Sequence, residues 1–215
     1  MNRYSTYIFD LDGTLTDTTA VWLAIFRDAL THFGVTPPDT LTLSKHTHDW
    51  KEMITLGLPE EKLEAFTELA HKLAKERLPD APMHNGSVEM LERLQKAGKT
   101  IGIFSTMDRP LFEPAMEHHR LARFAKAAVA GTDVPRRKPH PDGIIKTLEY
   151  LQIPESEYSS VIYIGDKDTD IQAAHNAGVK SMLFYPPSHQ EIYTLESLTA
   201  HNPTHIIHSW EELTV

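Results

Sequence analysis

The sequence predicts an α/β protein, a parallel-sheet core interrupted early by an inserted α-helical cap. Three observations lead there. From residue 86 onward short apolar runs alternate with helical stretches, the pattern of a parallel sheet covered on both faces. A short apolar run, Tyr7-Ile8-Phe9, opens the chain and ends in acids. Between that run and residue 83 only helical signals occur. The expected division is a core of residues 1–15 and 83–215 and a helical cap of residues 16–82.

Each element has its own justification. Trp22, Ile25, Phe26, Leu30 and Phe33 recur at helical spacing from Thr18 to Phe33, and Gly34 is the stop. A second helix is expected over residues 60–78, with Leu63, Phe66, Ala70 and Leu73 on one side and Pro79 beyond it. After Asn85-Gly86, Ser87 reads as the N-cap of a helix running to Lys96, and Gly98 ends it. Strands are expected at 100–104, 127–130, 161–164, 181–185 and 205–207, with helices near 143–151 and ending at Gly178.

Composition narrows the function. At 215 residues, 40% hydrophobic and 24% charged, the chain is an ordinary globular protein able to bury a core. Its net charge is -9, from 30 acidic against 21 basic side chains, which disfavours nucleic acid or an anionic membrane as partner. The absence of cysteine excludes disulfides, thiolate catalysis and cysteine-bound zinc. No signal peptide and no run near the roughly 20 apolar residues of a spanning helix is read, so the expected location is cytoplasmic.

The chemistry gathers at strand ends. Phe9-Asp10, Phe104-Ser105 and Ile164-Gly165-Asp166 each close an apolar run, and ligands in open α/β sheets bind beyond the carboxyl ends of the strands. If those strands are neighbours, Asp10, Asp12, Ser105, Asp166 and Asp170 converge. Two like unit charges about 4 Å apart cost roughly 4 kcal/mol at an effective dielectric near 20. Such a crowd of carboxylates therefore calls for a hard divalent cation, of which Mg2+ is the usual one beside phosphate. Residues two apart point the same way at a strand end, so Asp10 and Asp12 can flank one reacting atom. One would attack while the other, kept protonated, serves the leaving group. Gly13 lets the chain turn sharply after the strand. Taken alone, D-x-D-G-T also suits a turn or a calcium-type loop, and Asp166, Asp168 and Asp170 also suit an acidic helix start.

In order along the chain, Asp10-Leu11-Asp12-Gly13-Thr14, Ser105, Lys138 in Arg137-Lys138-Pro139 and Gly165-Asp166 through Asp170 resemble the four motifs of the haloacid dehalogenase-like hydrolases. The stretch Gly165 to Ala174 is similar to the phosphoglycolate phosphatase-like branch, which carries a helical cap between its first two motifs. The resemblance implies a Rossmann-like core and a magnesium-dependent phosphatase of small phosphate monoesters. It implies Asp10 as nucleophile forming an aspartyl-phosphate and Asp12 as general acid and then base. Ser105 and Lys138 would hold the transferring phosphoryl group, with Asp10, the Asp12 carbonyl, Asp166 and Asp170 around Mg2+. These are the parts that phosphoryl transfer needs. Asp12 disfavours a dehalogenase, because a halide leaving group needs no proton. The partner implied is a small phosphorylated metabolite, with neither nucleic acid nor membrane, and the protein is a monomer or a homodimer.

Other readings stay open. A phosphoryl mutase of the β-phosphoglucomutase kind would use the same core. A receiver-like phosphoacceptor domain also gathers acids around magnesium, but the helical insertion and the acids at 166–170 argue against it. Thr106 either offers its amide to phosphate or is a loop residue. Lys45, His46 and His48, between two helical stretches, either meet an anionic or sugar group or form a solvated loop. No glycine lies between Gly34 and Gly57, so phosphoglycolate specificity is not carried over. The 13 histidines show no metal-ligand spacing and read as surface or structural. Trp22 and Phe26 read as packing.

Overall fold

The computed structural model describes residues 4–46, 50–190 and 192–214. Six parallel strands form one sheet in the order β3-β2-β1-β4-β5-β6. They are β1 (Thr6–Phe9), β2 (Thr100–Phe104), β3 (Ala127–Val129), β4 (Val161–Gly165), β5 (Lys180–Phe184) and β6 (His205–Ile207). The central strands are buried on both faces, all of β1 and β4 included. They therefore read as continuous apolar runs and not as alternating ones.

Alternation along the strands sorts two cores. Tyr7, Phe9, Ile101, Ile103, Ile162 and Ile164 face a cluster with Met90, Leu91, Leu94 and Phe112. Those four come from α4 (Ser87–Lys96) and α5 (Arg109–His118). Ile8, Phe104, Val129 and Tyr163 face Ile144, Leu148, Ala173 and Ala174. That side is covered by α6 (Asp142–Tyr150) and α7 (Asp168–Asn176). Two short helices, Pro187–Gln190 and Leu195–Thr199, complete the carboxyl-terminal part.

Between β1 and α4 the described chain is helical. It contains α1 (Thr19–His32), α2 (Thr40–Lys45), a 3-10 stretch at Trp50–Leu56 and α3 (Leu63–Arg77). Phe26 of α1 stacks on Phe66 of α3, ring centroids 6.1 Å apart, and both join the larger core. The segment leaves and re-enters through a paired neck. The Asp17 amide donates to Pro82 O (2.7 Å) and the His84 amide to Leu15 O (3.0 Å).

One expected detail is corrected. Ser87 is not an N-cap; Gly86, at φ 80°, holds that place. The Ser87 hydroxyl is buried and donates to Leu15 O at 3.0 Å. Ser87 lies inside the first turn, and its hydroxyl is a second donor to Leu15 O beside the His84 amide, tying the helix start to the neck. No helix among the described residues is long and apolar enough to cross a membrane.

Asp133 anchors the loop beyond β3. It accepts from the Ala130 amide (2.8 Å) and from Arg109, at the start of α5, through Nε (2.9 Å) and the guanidinium tip. Burial pushes this carboxyl up, but Arg109 and the Ala130 amide outweigh it and leave the pKa below the usual carboxylate value. A carboxyl depressed in the fold adds stability above its unfolded pKa, and that stability is lost as pH falls through the folded one. Asp133→Asn is expected to cost about 1–2 kcal/mol near neutral pH, a melting shift of a few degrees. The gap to the wild type should narrow as pH falls below the usual carboxylate range, and thermal denaturation at neutral and at acid pH checks it.

Candidate active site

The sheet reverses its direction of growth at the β1–β4 pair, since β2 and β3 lie on one side and β5 and β6 on the other. The crevice at such a switch point is where open α/β sheets bind ligands. Register sets its floor. Phe9 lies level with Ile103 and Ile164, so Asp10, Ser105 and Asp166 all emerge just beyond the strand ends.

The chain after β1 turns back at once. Gly13 has φ 86°, and a Cβ there would sit 2.6 Å from Asp166 Oδ2, so both backbone and space require glycine. Thr14 donates to Asp166 Oδ1 at 3.0 Å. Asp166 Oδ2 has no hydrogen-bond partner, and Asp166 is fully buried. Asp10, Asp166 and Asp170 bring carboxylate oxygens within 4.8 Å of one another.

Lys138 reaches this group from the loop before α6. Its Nζ lies 2.9 Å from Asp10 Oδ1 and 2.5 Å from Asp170 Oδ1, its side chain only 5% exposed. Burial alone would push the ammonium down, but Asp10 and Asp170 hold it well above the usual lysine range. Asp170 is the most fully satisfied of the acids. Its Oδ2 accepts from the amides of Asp166 (3.1 Å) and Lys167 (2.9 Å), and its Oδ1 from Lys138. In that arrangement it holds the lysine and the Gly165–Lys167 turn.

Asp10 and Asp166 lack such compensation. Burial, with the neighbouring carboxylates, pushes Asp10 up to about 8 against the pull of Lys138. Asp166 rises to about 7, from burial first, against the pull of Lys167. Both shifts are upward because burial and the neighbouring carboxylates outweigh the nearby lysines, which marks a site short of positive charge. With all four ionised, Asp10, Asp12, Asp166 and Asp170 would exceed the ammonium groups of Lys138 and Lys167 by two negative charges, the excess that the upward shifts of Asp10 and Asp166 reflect. An all-oxygen donor set with one partnerless buried oxygen fits a hard divalent cation.

The other expected residues are placed as follows. Ser105 is fully buried, and its Oγ accepts from the Met107 amide at 3.2 Å. Thr106 lines the cavity above the site, as do Asp12 and Lys138. Lys45 is exposed, and neither it nor His46 lines that cavity. The His46 Nδ1 instead lies 2.8 Å from Thr42 O. His48 lies outside the described residues.

Three features were not expected. Trp22, read as packing, donates its indole N–H to both oxygens of Asp12 at 3.1 Å. Helical spacing placed it on the inner face of α1 but could not say what its polar edge meets. His84 and His189 are buried beside the site. His84 Nε2 lies 3.1 Å from Gly13 O, and His189 Nδ1 3.9 Å from Asp166 Oδ2. Burial holds both imidazoles below their usual range, His189 down to about 3. Lys167 is the third. Its position directly after Gly165-Asp166 was the available signal. Burial opposes its charge, but Asp166, Tyr193, Asp12 and Asp10 raise it above the usual lysine range.

A family model described as haloacid dehalogenase-like hydrolase matches residues 7–184. The chain belongs to the haloacid dehalogenase-like hydrolases. Among similar proteins, the pyrophosphatase PpaX of Bacillus mycoides is 29% identical over 184 residues, 84% of this chain and 83% of its own. A haloacid dehalogenase-like hydrolase of Bacteroides fragilis superposes with a TM-score of 0.81 at 25% identity, covering 98% of this chain and 100% of that one. A predicted phosphoglycolate phosphatase from Haemophilus somnus has the same fold, with a TM-score of 0.79 at 19% identity over 99% and 97% of the two chains. This haloacid dehalogenase-like chain is thus an enzyme of the hydrolase class.

The carboxylate cluster gives a direct expectation for the cation. Magnesium chloride should raise the melting temperature of the chelator-treated protein, because a ligand of the folded state alone stabilises it by mass action. Asp166→Asn should lose most of that rise. An unchanged rise in the variant, followed by differential scanning fluorimetry, would remove Asp166 from the cation site.

Proposed function

We propose that this haloacid dehalogenase-like hydrolase is a Mg2+-dependent phosphatase of a small phosphate monoester, working through an aspartyl-phosphate on Asp10. The observation that carries the reading is the Asp10 carboxylate, at the tip of β1, held 2.9 Å from a buried lysine and within 4.8 Å of Asp166 and Asp170.

In the first step an Asp10 oxygen attacks phosphorus and the ester P–O bond breaks. Asp12 gives its proton to the departing alkoxide. In the second step Asp12 takes a proton from water, the water oxygen bonds to phosphorus, and the Asp10–phosphorus bond breaks to release inorganic phosphate. Splitting the displacement in two is the gain from a covalent nucleophile. Ser105 and the Thr106 amide would hold equatorial oxygens, and Lys138 would offset charge on phosphate and nucleophile together. Asp10, the Asp12 carbonyl, Asp166 and Asp170 would hold Mg2+, whose charge, when bound, offsets that of the phosphoryl oxygens. The Trp22 indole, from a segment read here as a cap (residues 16–82), would keep Asp12 oriented between its two duties. The proposed setting is the cytoplasm, where small phosphorylated metabolites occur.

Asp10→Asn should reduce phosphate release from any accepted monoester to background while circular dichroism stays that of the wild type. Chelation should stop the wild type and added magnesium should restore it. Substantial magnesium-dependent turnover by Asp10→Asn would end the nucleophile assignment.

Asp12→Asn should separate substrates by leaving group. Loss of a positioned general acid is expected to slow alkyl esters by about 10²- to 10⁴-fold. The bond-breaking step with an aryl phosphate such as 4-nitrophenyl phosphate needs little proton help and should suffer much less. Equal losses in burst-phase measurements on both would argue against the acid role.

A further inference from the structure

The haloacid dehalogenase-like core explains where a phosphate would lie, not what is attached to it. The cavity above the carboxylates has a volume of about 610 Å³, within the range of about 300–1,000 Å³ for small-molecule sites. At about 30 Å³ per water it equals roughly twenty waters. A substrate of the size of pyrophosphate or a two-carbon phosphate ester would leave much of that space wet.

The walls say what the space suits. Trp22, Phe26, Trp50 and His71 line it from the helical segment, and Met107 and Leu111 from the other side. Trp22 and Phe26 are stacked, with centroids 5.8 Å apart and planes 25° apart. Trp50 stands edge-on to both, at 6.2 Å and 61° from Trp22 and 5.6 Å and 85° from Phe26. His71 lies 4.6 Å from Trp50. Two aromatic surfaces at a steep angle offer a flat ring one face to stack on and one edge to meet, the two favoured aromatic geometries.

Charge points the same way. A second anionic group on the substrate would need a cation away from the phosphate. Among the described lining residues the helical segment contributes neither lysine nor arginine. The lining cations come from the core, and each already faces a carboxylate. Arg137 pairs with Asp108, Lys138 with Asp10 and Asp170, and Lys167 is held by Asp166 and Asp12.

We infer that the alcohol part of the substrate carries a planar aromatic or heteroaromatic ring, seated in the angle that Trp22 and Trp50 form on the cavity side, while its phosphate meets Lys138 and Asp10. The inference rests on the phosphatase reading and adds the substrate class to it. Trp22 would then touch both the ring and Asp12, so a seated ring would press on the residue that orients the acid.

The test compares alkyl esters so that leaving-group chemistry is matched. Phosphate release by the full chain with magnesium is measured for benzyl phosphate, cyclohexylmethyl phosphate, phosphoglycolate and pyrophosphate. Stacking is expected to give benzyl phosphate a kcat/KM about 5- to 10-fold above its puckered counterpart, with both ringless compounds lower still. Trp50→Leu should bring the benzyl to cyclohexylmethyl ratio toward one, and Trp50→Phe should keep it. A wild-type ratio near one, phosphoglycolate as the better substrate, or a ratio unmoved in folded Trp50→Leu would overturn the inference while leaving the phosphatase reading intact, and pyrophosphate as the better substrate would overturn it together with the monoester part of that reading. Should Trp50→Leu fail to fold, the wild-type ratio decides alone. No release from any of the four would overturn this inference and count against the phosphatase reading itself.

Discussion

The structure turns on the ammonium of Lys138. Burying a charge costs several kcal/mol unless close partners and hydrogen bonds offset it. Here Asp10 and Asp170 supply them at 2.9 and 2.5 Å, with the Tyr163 hydroxyl at 3.0 Å. Those groups belong to different parts of the sheet. Asp10 follows β1, Tyr163 lies in β4, Asp170 opens α7, and Lys138 precedes α6. One cation therefore fixes the relative position of the strand ends and helix starts that frame the crevice. Asp170 passes the constraint on, since its second oxygen holds the amides of Asp166 and Lys167. Asp166 is thereby aimed at the same point, as a consequence of the lysine's neutralisation.

The same balance leaves the crevice unfinished in charge. Lys138 and Lys167 oppose half of the carboxylate charge around them, and burial does the rest by pushing Asp10 and Asp166 upward. A fold that kept such a cluster for stability alone would gain by replacing a buried acid with an apolar side chain. Under the proposed reading the cluster is kept to hold a cation, and the partnerless oxygen of Asp166 is where that cation would bind. A chain with a net charge of -9 thus reserves two of its lysines for one acidic pocket. Overall charge spoke against polyanionic partners. It carried no information about this small region.

What the sequence made legible follows from the range of the interactions involved. β1, β2 and β4 were found because parallel strands buried on both faces are unbroken apolar runs, and each is followed at once by an acid or a serine. The carboxylate cluster followed from those ends alone, and Lys138 from its place in an ordered set of motifs. Trp22 was read as packing, and its ring does pack on Phe26, but helical periodicity reports only the face a residue occupies. Only three-dimensional placement puts its N–H against Asp12. His84 and His189 were passed over because a ligand-spacing rule tests neighbours in sequence, whereas these two meet across the neck and the loop after β5. The helix Thr40–Lys45 is too short for its periodicity to register. Ser87 misled because a serine before a helix is usually a cap, and its contact with Leu15 O across the neck is invisible from residue 87.

The two ends of the cavity differ for a related reason. At the end proposed for the phosphate, Asp10, Ser105 and Asp166 directly follow strand tips, where backbone register fixes position to within one residue and a few residue types suffice for the chemistry. A short pattern can encode that. At the other end the surface is made by Trp22 and Phe26 of α1 meeting Trp50, from a separate 3-10 stretch, with His71 of α3 at the rim. No residue there has a required chemistry, only a shape and a polarity that exist once the helices are packed. Many combinations of apolar side chains would build a wall, and each would suit a different leaving group. Reaction type in this fold is therefore carried by local sequence, and substrate choice by the packing of helices. Trp22 belongs to both, its ring face in the wall and its nitrogen on Asp12, and through it the choice of substrate bears directly on the residue assigned to move the proton.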